Sequence, residues 1–248
     1  MSVAEPRILK RPSCVLLDMD NTLYRYAPAH AAGMDGAAMV ASELLNIDRH
    51  GFEQAVAGAR TELKRRLGPV AASHHRLLYF QRAIEQLGLA SQVAAALKLD
   101  HAYWSHFLDA AELESEALDF LDDLRLLGIP VVIVTDLTAQ IQFRKFLLWR
   151  LDRYVDWIVT SEEAGADKPD PRIFNLALAK LGGIEGQAWM IGDNPVADIE
   201  GAKDAVNALT IQMCLDEPHK PSTADHKVNG FAPLRALLRR ASDTKETS

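Results

Sequence analysis

The residues that invite chemistry begin at Asp18. Asp18 and Asp20 stand two positions apart in Asp18-Met19-Asp20-Asn21-Thr22-Leu23-Tyr24, directly after the apolar run Cys14–Leu17. If that run is a strand of a parallel sheet, its carboxyl end opens onto the crevice where such sheets bind ligands, and both carboxylates reach the same space. A pair of acids so spaced is common in surface loops, so its meaning depends on its company. A second apolar run, Val131–Val134, is followed by Thr135-Asp136, which brings a hydroxyl and fresh N–H groups to a strand end. Downstream of a third, Trp157–Val159, lies Ala166-Asp167-Lys168-Pro169-Asp170-Pro171, with a lone lysine ahead of a helix start. The fourth, Trp189–Ile191, runs into Gly192-Asp193-Asn194-Pro195-Val196-Ala197-Asp198. One sheet edge thus receives several acids, a lysine and a threonine.

This set suits a hard divalent cation beside a phosphoryl group. Mg²⁺ takes one or two carboxylates together with water and substrate phosphate, and Asp18 and Asp193, with the main-chain carbonyl of Asp20, offer that site. The cation offsets the repulsion between an anionic nucleophile and an anionic phosphoryl group. Lys168 adds a compact positive charge on another side, and the Thr135 hydroxyl donates to a phosphoryl oxygen. Met19 and Asp136, the latter through its N–H, complete the expected phosphate contacts. Asp18 is then the nucleophile that forms an aspartyl-phosphate. Asp20 protonates the leaving oxygen and later takes a proton from the attacking water. Asp198 is expected behind this set, orienting Lys168 or a water, with Asn194 at the edge of the metal shell.

The elements that must position these residues read as a doubly wound α/β core. The four apolar runs, and a softer fifth at Leu209–Met213, are short and do not alternate, as strands covered on both faces should be. Glu116–Leu127 and Ile173–Leu181 carry helical spacing and end at glycines. Lys227–Asn229 is expected as a last short strand and Leu234–Arg240 as a last helix. The core therefore comprises residues 1–25 and 115–241. Residues 26–114 contain no strand pattern and are expected to fold as an inserted helical unit, with helices over Ala29–Leu45, Arg49–Leu67, His75–Gln86, Ser91–Leu97 and Tyr103–Leu108. Asp216–Pro221 reads as a turn-rich loop and residues 242–248 as a disordered tail.

Composition narrows the partners. The 248 residues carry a formal net charge of −7, which argues against a nucleic-acid duplex or an anionic membrane as the main partner. Neither a signal peptide nor an apolar run approaching the ~20 residues of a membrane span is evident, so a cytoplasmic protein, monomer or homodimer, acting on a small phosphorylated metabolite is expected. Cys14 and Cys214 are far apart and read as structural thiols in a reducing compartment. The eight histidines show no zinc-ligand spacing. In the helical unit, Lys64-Arg65-Arg66 and His74-His75-Arg76 are basic clusters. Solvated helix faces are their ordinary meaning; the alternative is that one or two of them meet the non-reacting part of an anionic substrate. Tyr79, Phe80, Tyr103, Trp104 and Phe107 read as core.

This order of motifs resembles the haloacid dehalogenase-like (HAD) superfamily. Its DxDxT motif matches Asp18, Asp20 and Thr22; its strand-ending Ser or Thr matches Thr135; its lysine before a helix matches Lys168; its GDxxxxD matches Asp193 and Asp198. The resemblance covers Ser13 to Leu215 and implies a Rossmann-like core with a C1-type helical cap that selects substrate. It also implies Mg²⁺-dependent phosphatase activity, because members that cleave carbon–halogen bonds lack the second aspartate and the metal. Asp18–Tyr24 is similar to pyrimidine 5′-nucleotidase-like and N-acylneuraminate 9-phosphatase-like members, which implies a nucleoside monophosphate or sugar phosphate. Asp136 departs from the Asn common in such relatives, and a carboxylate there repels phosphate unless it turns away or binds a donor. The competing functions are a phosphotransferase or mutase with the same intermediate, a haloacid dehalogenase, and a non-catalytic binding protein on this scaffold.

Overall fold

The computed structural model describes residues 9–215 and 221–243. Six strands, β1 (Cys14–Leu17), β2 (Val131–Thr135), β3 (Trp157–Thr160), β4 (Ala188–Gly192), β5 (Leu209–Met213) and β6 (His226–Val228), form one sheet in the order β3-β2-β1-β4-β5-β6. Every neighbouring pair is parallel. The missing alternation in these strands has a simple cause: both faces are covered. Val15, Leu17, Ile133, Trp189 and Ile191 join one core layer with Phe120, Leu124 and Phe231. Cys14, Leu16, Val132, Val134 and Met190 join the other with Ile173, Phe174 and Ala177. The period of two is intact, but apolar residues occupy both phases. Each such side chain contributes about 1.5–3 kcal/mol on burial.

The interval between β1 and β2 holds α1 (Tyr26–Leu45), α2 (Arg49–Leu67), α3 (Arg76–Gln86) and α4 (Val93–Asp109), and then α5 (Ala117–Leu126) leads into β2. Beyond β2 come α6 (Ala139–Leu148), α7 (Ser161–Ala164), α8 (Pro171–Lys180), α9 (Gly201–Val206) and α10 (Phe231–Asp243). Strand order reverses at β1: the chain winds outward to β2 and β3, then returns to β4 on the other side of β1. The crevice of a doubly wound sheet opens at this switch point, and Asp18 stands one residue beyond the end of β1.

Three expectations need correction. Val93–Leu97 and Tyr103–Leu108, expected in two helices, belong to the single helix α4, because Ala95, Ala96, Leu99, Tyr103, Trp104 and Phe107 make one continuous buried stripe at three- and four-residue spacing. The expected tail begins too early, since α10 runs through Ser242 to Asp243 with Leu238 and Ala241 buried; residues 244–248, like 216–220 of the expected loop, lie outside the described residues. The last strand is His226–Val228, one residue earlier than expected.

α1 and α4 cross closely because glycine allows it. A Cβ on Gly33 would lie 2.8 Å from the Tyr103 ring, and one on Gly36 would lie 2.5 Å from the His106 ring. Aromatic residues then carry the helices onto the sheet end: the Tyr24 ring is 4.9 Å from Trp149 and 6.1 Å from Phe107. Cys14 and Cys214 are both buried, and no helix among the described residues is long and apolar enough to cross a membrane.

Candidate active site

Three strand ends and the loop ahead of α8 meet in one pocket. The Asp18 N–H donates to the Ile191 carbonyl at 2.9 Å, tying the end of β1 to β4 and setting its carboxylate beside the β4 loop. Asp18 Oδ1 accepts from Lys168 Nζ at 2.6 Å, and Oδ2 accepts from the Thr22 hydroxyl at 2.9 Å. Lys168 comes from the loop ahead of α8, whose start is set by Pro171 in its first turn and by Asp170 capping the Arg172 N–H at 2.9 Å. Its ammonium also donates to Asp198 Oδ1 at 2.7 Å and to the Val134 carbonyl at 3.0 Å. Asp198 is pinned from behind by the Asn194 N–H at 2.9 Å. Gly192 makes room for it: a Cβ there would lie 2.4 Å from the Asp198 carboxyl carbon. Asp193 accepts from the Asn21 amide at 3.2 Å.

Asp18, Asp193 and Asp198 thus bring carboxylate oxygens within 4.8 Å of one another. The oxygen-only donor set fits a hard divalent cation. Burial pushes Asp18 upward most strongly, Lys168 opposes it, and Asp198 and Asp193 add to the push, leaving its pKa well above the usual carboxylate range. Burial disfavours the Lys168 ammonium, but Asp18, Asp198 and Asp136 outweigh it and hold the group charged.

Asp20 has direct partners that sequence reading missed. Lys145 Nζ donates to its Oδ1 at 2.5 Å, Gln142 Nε2 to its Oδ2 at 3.0 Å, and the Tyr24 hydroxyl also donates to Oδ1. Lys145 and Gln142 both project from α6 and are fully buried. The Lys145 ammonium lies 5.2 Å from the Phe107 ring centroid, 5.6 Å from Tyr24 and 5.8 Å from Trp104. Burial pushes Asp20 up, yet Lys145, Tyr24 and Gln142 together hold it below the ordinary value. The same Gln142 amide donates to the Thr135 hydroxyl oxygen at 2.6 Å and to the Asp136 carbonyl at 2.7 Å, so one side chain from α6 links the ends of β1 and β2.

The residues singled out from the sequence fall as follows. Asp18, Thr135, Lys168 and Asp198 are buried together, and Asp20, Asp193 and Asn194 line the same loops. Met19 is fully buried, and its carbonyl accepts the Leu23 N–H at 3.0 Å in the turn that follows. Asn194 uses its side-chain oxygen to cap the Val196 and Ala197 N–H groups at 3.0 and 3.1 Å. The Asp136 carboxylate has a donor, as its position requires: Oδ1 accepts the Lys168 N–H at 2.9 Å. Burial raises it to about 6, against the pull of Lys168.

The basic clusters of α2 and α3 divide. Arg65 and Arg66 are exposed, whereas Lys64, His74, His75 and Arg76 are half-buried. His74 Nε2 sits 2.9 Å from Asp167 Oδ2, and the Asp167 N–H donates to the Pro69 carbonyl at 3.1 Å. The segment between α2 and α3 is thereby bonded to the residue before Lys168. The five aromatic residues read as core are all buried.

Comparison with known proteins agrees with this arrangement. The family described as haloacid dehalogenase-like hydrolase matches residues 12–205. The chain is 39% identical over 224 residues to the ribulose-1,5-bisphosphate 5-phosphatase of Halopiger xanaduensis, spanning 90% of this chain and 92% of that protein. It is 31% identical over 150 residues to the phosphoserine phosphatase of Thermus thermophilus, spanning 60% and 59% of the two chains. Among solved structures, the magnesium-bound HAD-hydrolase YfnB of Bacillus subtilis superposes with a TM-score of 0.71 at 21% identity, over 93% of this chain and 100% of that one. That last likeness is one of fold.

Proposed function

This chain belongs to the haloacid dehalogenase-like hydrolase family, and on that premise we propose that it cleaves a small sugar phosphate through an aspartyl-phosphate on Asp18. As a phosphoric monoester hydrolase, it needs an anionic nucleophile to approach an anionic phosphoryl group. One observation carries the reading: Asp18, Lys168, Asp193 and Asp198, distant along the chain, lie in a single buried pocket. Asp18, Asp193 and the main-chain carbonyl of Asp20 are the groups that would hold Mg²⁺. When bound, the ion supplies positive charge that offsets the repulsion between nucleophile and phosphoryl oxygens.

The chain's own residues do the rest. Lys168, held by Asp198 and the Val134 carbonyl, keeps its ammonium against the nucleophilic carboxylate and moves no proton. The Asp18 oxygen attacks phosphorus while the bond to the sugar oxygen breaks. Asp20 supplies the proton to that leaving oxygen; in the second half, as a carboxylate, it takes a proton from the water that attacks phosphorus. The Lys145 ammonium beside it favours the carboxylate form and readies it for that second half. The Thr135 hydroxyl, oriented by Gln142, donates to a phosphoryl oxygen. The helices α1–α4 act as the cap that chooses the sugar. The names of the two relatives favour phosphorylated sugars and small metabolites over the nucleotides suggested by the motif.

Hydrolysis of p-nitrophenyl phosphate with and without Mg²⁺, in wild type and Asp18→Asn, tests this. Turnover should require the metal, stop with a chelator and vanish in Asp18→Asn. Wild-type rates from Asp18→Asn, or equal rates without metal, would sink the assignment.

A further inference from the structure

The helical unit contains cations without acids. Arg60, Lys64 and Arg76 form no ion pair among the described residues. Arg76 is the most enclosed. Its Nη1 donates to the His74 carbonyl at 2.7 Å, its Nε to the Tyr103 hydroxyl at 3.3 Å and its Nη2 to the Tyr26 hydroxyl. Its guanidinium carbon lies 5.2, 5.6 and 5.8 Å from the ring centroids of Tyr79, Tyr103 and Trp104. A guanidinium carries five N–H donors, so neutral oxygens and ring faces leave part of it unused. Withdrawing a cation from water without a carboxylate is costly, and such a group is the mark of a site built for an anion.

A space exists for that anion. Tyr26, His30, Arg60, Arg76 and Tyr79 line a cavity of about 180 Å³ between α1, α2 and α3, far larger than one water needs. Glu53, also on its wall, is paired to Arg49 at 2.7 Å. His30 does not add an acid; burial, Arg76 and Arg60 hold it down at about 4, so it is neutral near pH 7. The field in the cavity is therefore positive. Lys64, one turn beyond Arg60 on α2, is half-buried, and burial with Arg60 and Arg76 holds its ammonium below the ordinary value against the pull of Asp167 and Asp136. Arg76 and Lys145 each lie 5.8 Å from the centroid of the Trp104 ring, which puts the cavity's arginine within twice that distance of the partner of Asp20.

We propose that Arg60, Lys64 and Arg76 form a second anion site in the helical unit, and that the natural substrate is a sugar carrying a second phosphate group away from the one removed. The proposal rests on the phosphatase reading and deepens it. Lys64 and Arg76 are then the members of the basic clusters that meet the non-reacting part of the substrate.

The test compares esters that differ only in the second phosphate: ribulose 5-phosphate with ribulose 1,5-bisphosphate, and fructose 6-phosphate with fructose 1,6-bisphosphate. Wild type should prefer a bisphosphate in kcat/KM. Arg60→Gln, Lys64→Gln and Arg76→Gln should each cut that preference by about 10-fold or more, the value of a charge-assisted contact, chiefly through KM. Arg66→Gln, exposed on the same helix, should leave the ratio unchanged. Arg60 is also exposed, so its variant remains informative if Arg76→Gln fails to fold. Equal treatment of mono- and bisphosphates, an equal ratio in all variants, or a preference for 3-phosphoglycerate over both bisphosphates overturns the second phosphate site. In each of those cases continued p-nitrophenyl phosphate hydrolysis leaves the phosphatase reading standing. Loss of turnover on every ester in wild type removes both.

Discussion

Lys145→Met keeps the length of the side chain and deletes its charge. In the native protein the ammonium is fully buried, 2.5 Å from Asp20 Oδ1, with three aromatic faces around it. The variant leaves Asp20 with Tyr24 and Gln142 as donors but without a counter-charge. Breaking a buried pair by removing one partner costs roughly 3–5 kcal/mol. Because the Asp20 side chain is 26% exposed and keeps two donors, about 2–3 kcal/mol is expected here. The sign with pH follows from the direction of the shift: Lys145 depresses Asp20, so this stabilisation is present above the ordinary carboxylate value of about 3.9 and fades as pH falls through the native value. Urea midpoints of wild type and variant should differ at pH 7 and converge below about pH 4. Kinetically, Asp20 acts as a base in the second half-reaction, so raising its pKa moves the acid limb of kcat for p-nitrophenyl phosphate to higher pH. The loss should reach about 10-fold or more at acidic pH, a part of the 10²–10⁴ that proton transfer contributes. An unmoved acid limb together with coincident urea midpoints would show that Lys145 does not govern Asp20.

Two other changes separate roles within the pocket. Asp20→Asn should slow turnover of an alkyl phosphate by ~10²–10⁴-fold, and less so for p-nitrophenyl phosphate, whose leaving group needs little protonation; an equal loss on both would deny Asp20 the acid's part in the first half-reaction. Asp136 is raised to about 6 by burial, so the folded state holds its proton where the unfolded chain has released it, and stability falls as pH rises between about 4 and 6. Asp136→Asn keeps an oxygen for the Lys168 N–H and removes that slope: its melting temperature should exceed wild type at pH 7.5, by at most about 3 kcal/mol of stability, and match it near pH 4.

Much of this molecule was legible before folding because strand-end chemistry is local. A strand buried on both faces shows itself as a short apolar run, and the residue one step past it must emerge at the sheet's edge. Asp18, Thr135 and Asp193 needed nothing more, and Lys168 followed from the Asp170-Pro171 helix start just beyond it. The direction of a helical side chain is different, since it depends on what the helix packs against. In Ala139–Leu148, Gln142 and Lys145 have the look of solvated residues, yet they are fully buried while Phe143 is 48% exposed. Nothing in their spacing announces the partner; only the docking of α6 against the ends of β1 and β2, under the aromatic rings of α4, turns a lysine into the counter-charge of Asp20. The basic clusters carry the same lesson. Composition made Lys64, Arg65 and Arg66 equivalent, and helix phase relative to α1 and α3 sent one inward and left two in water.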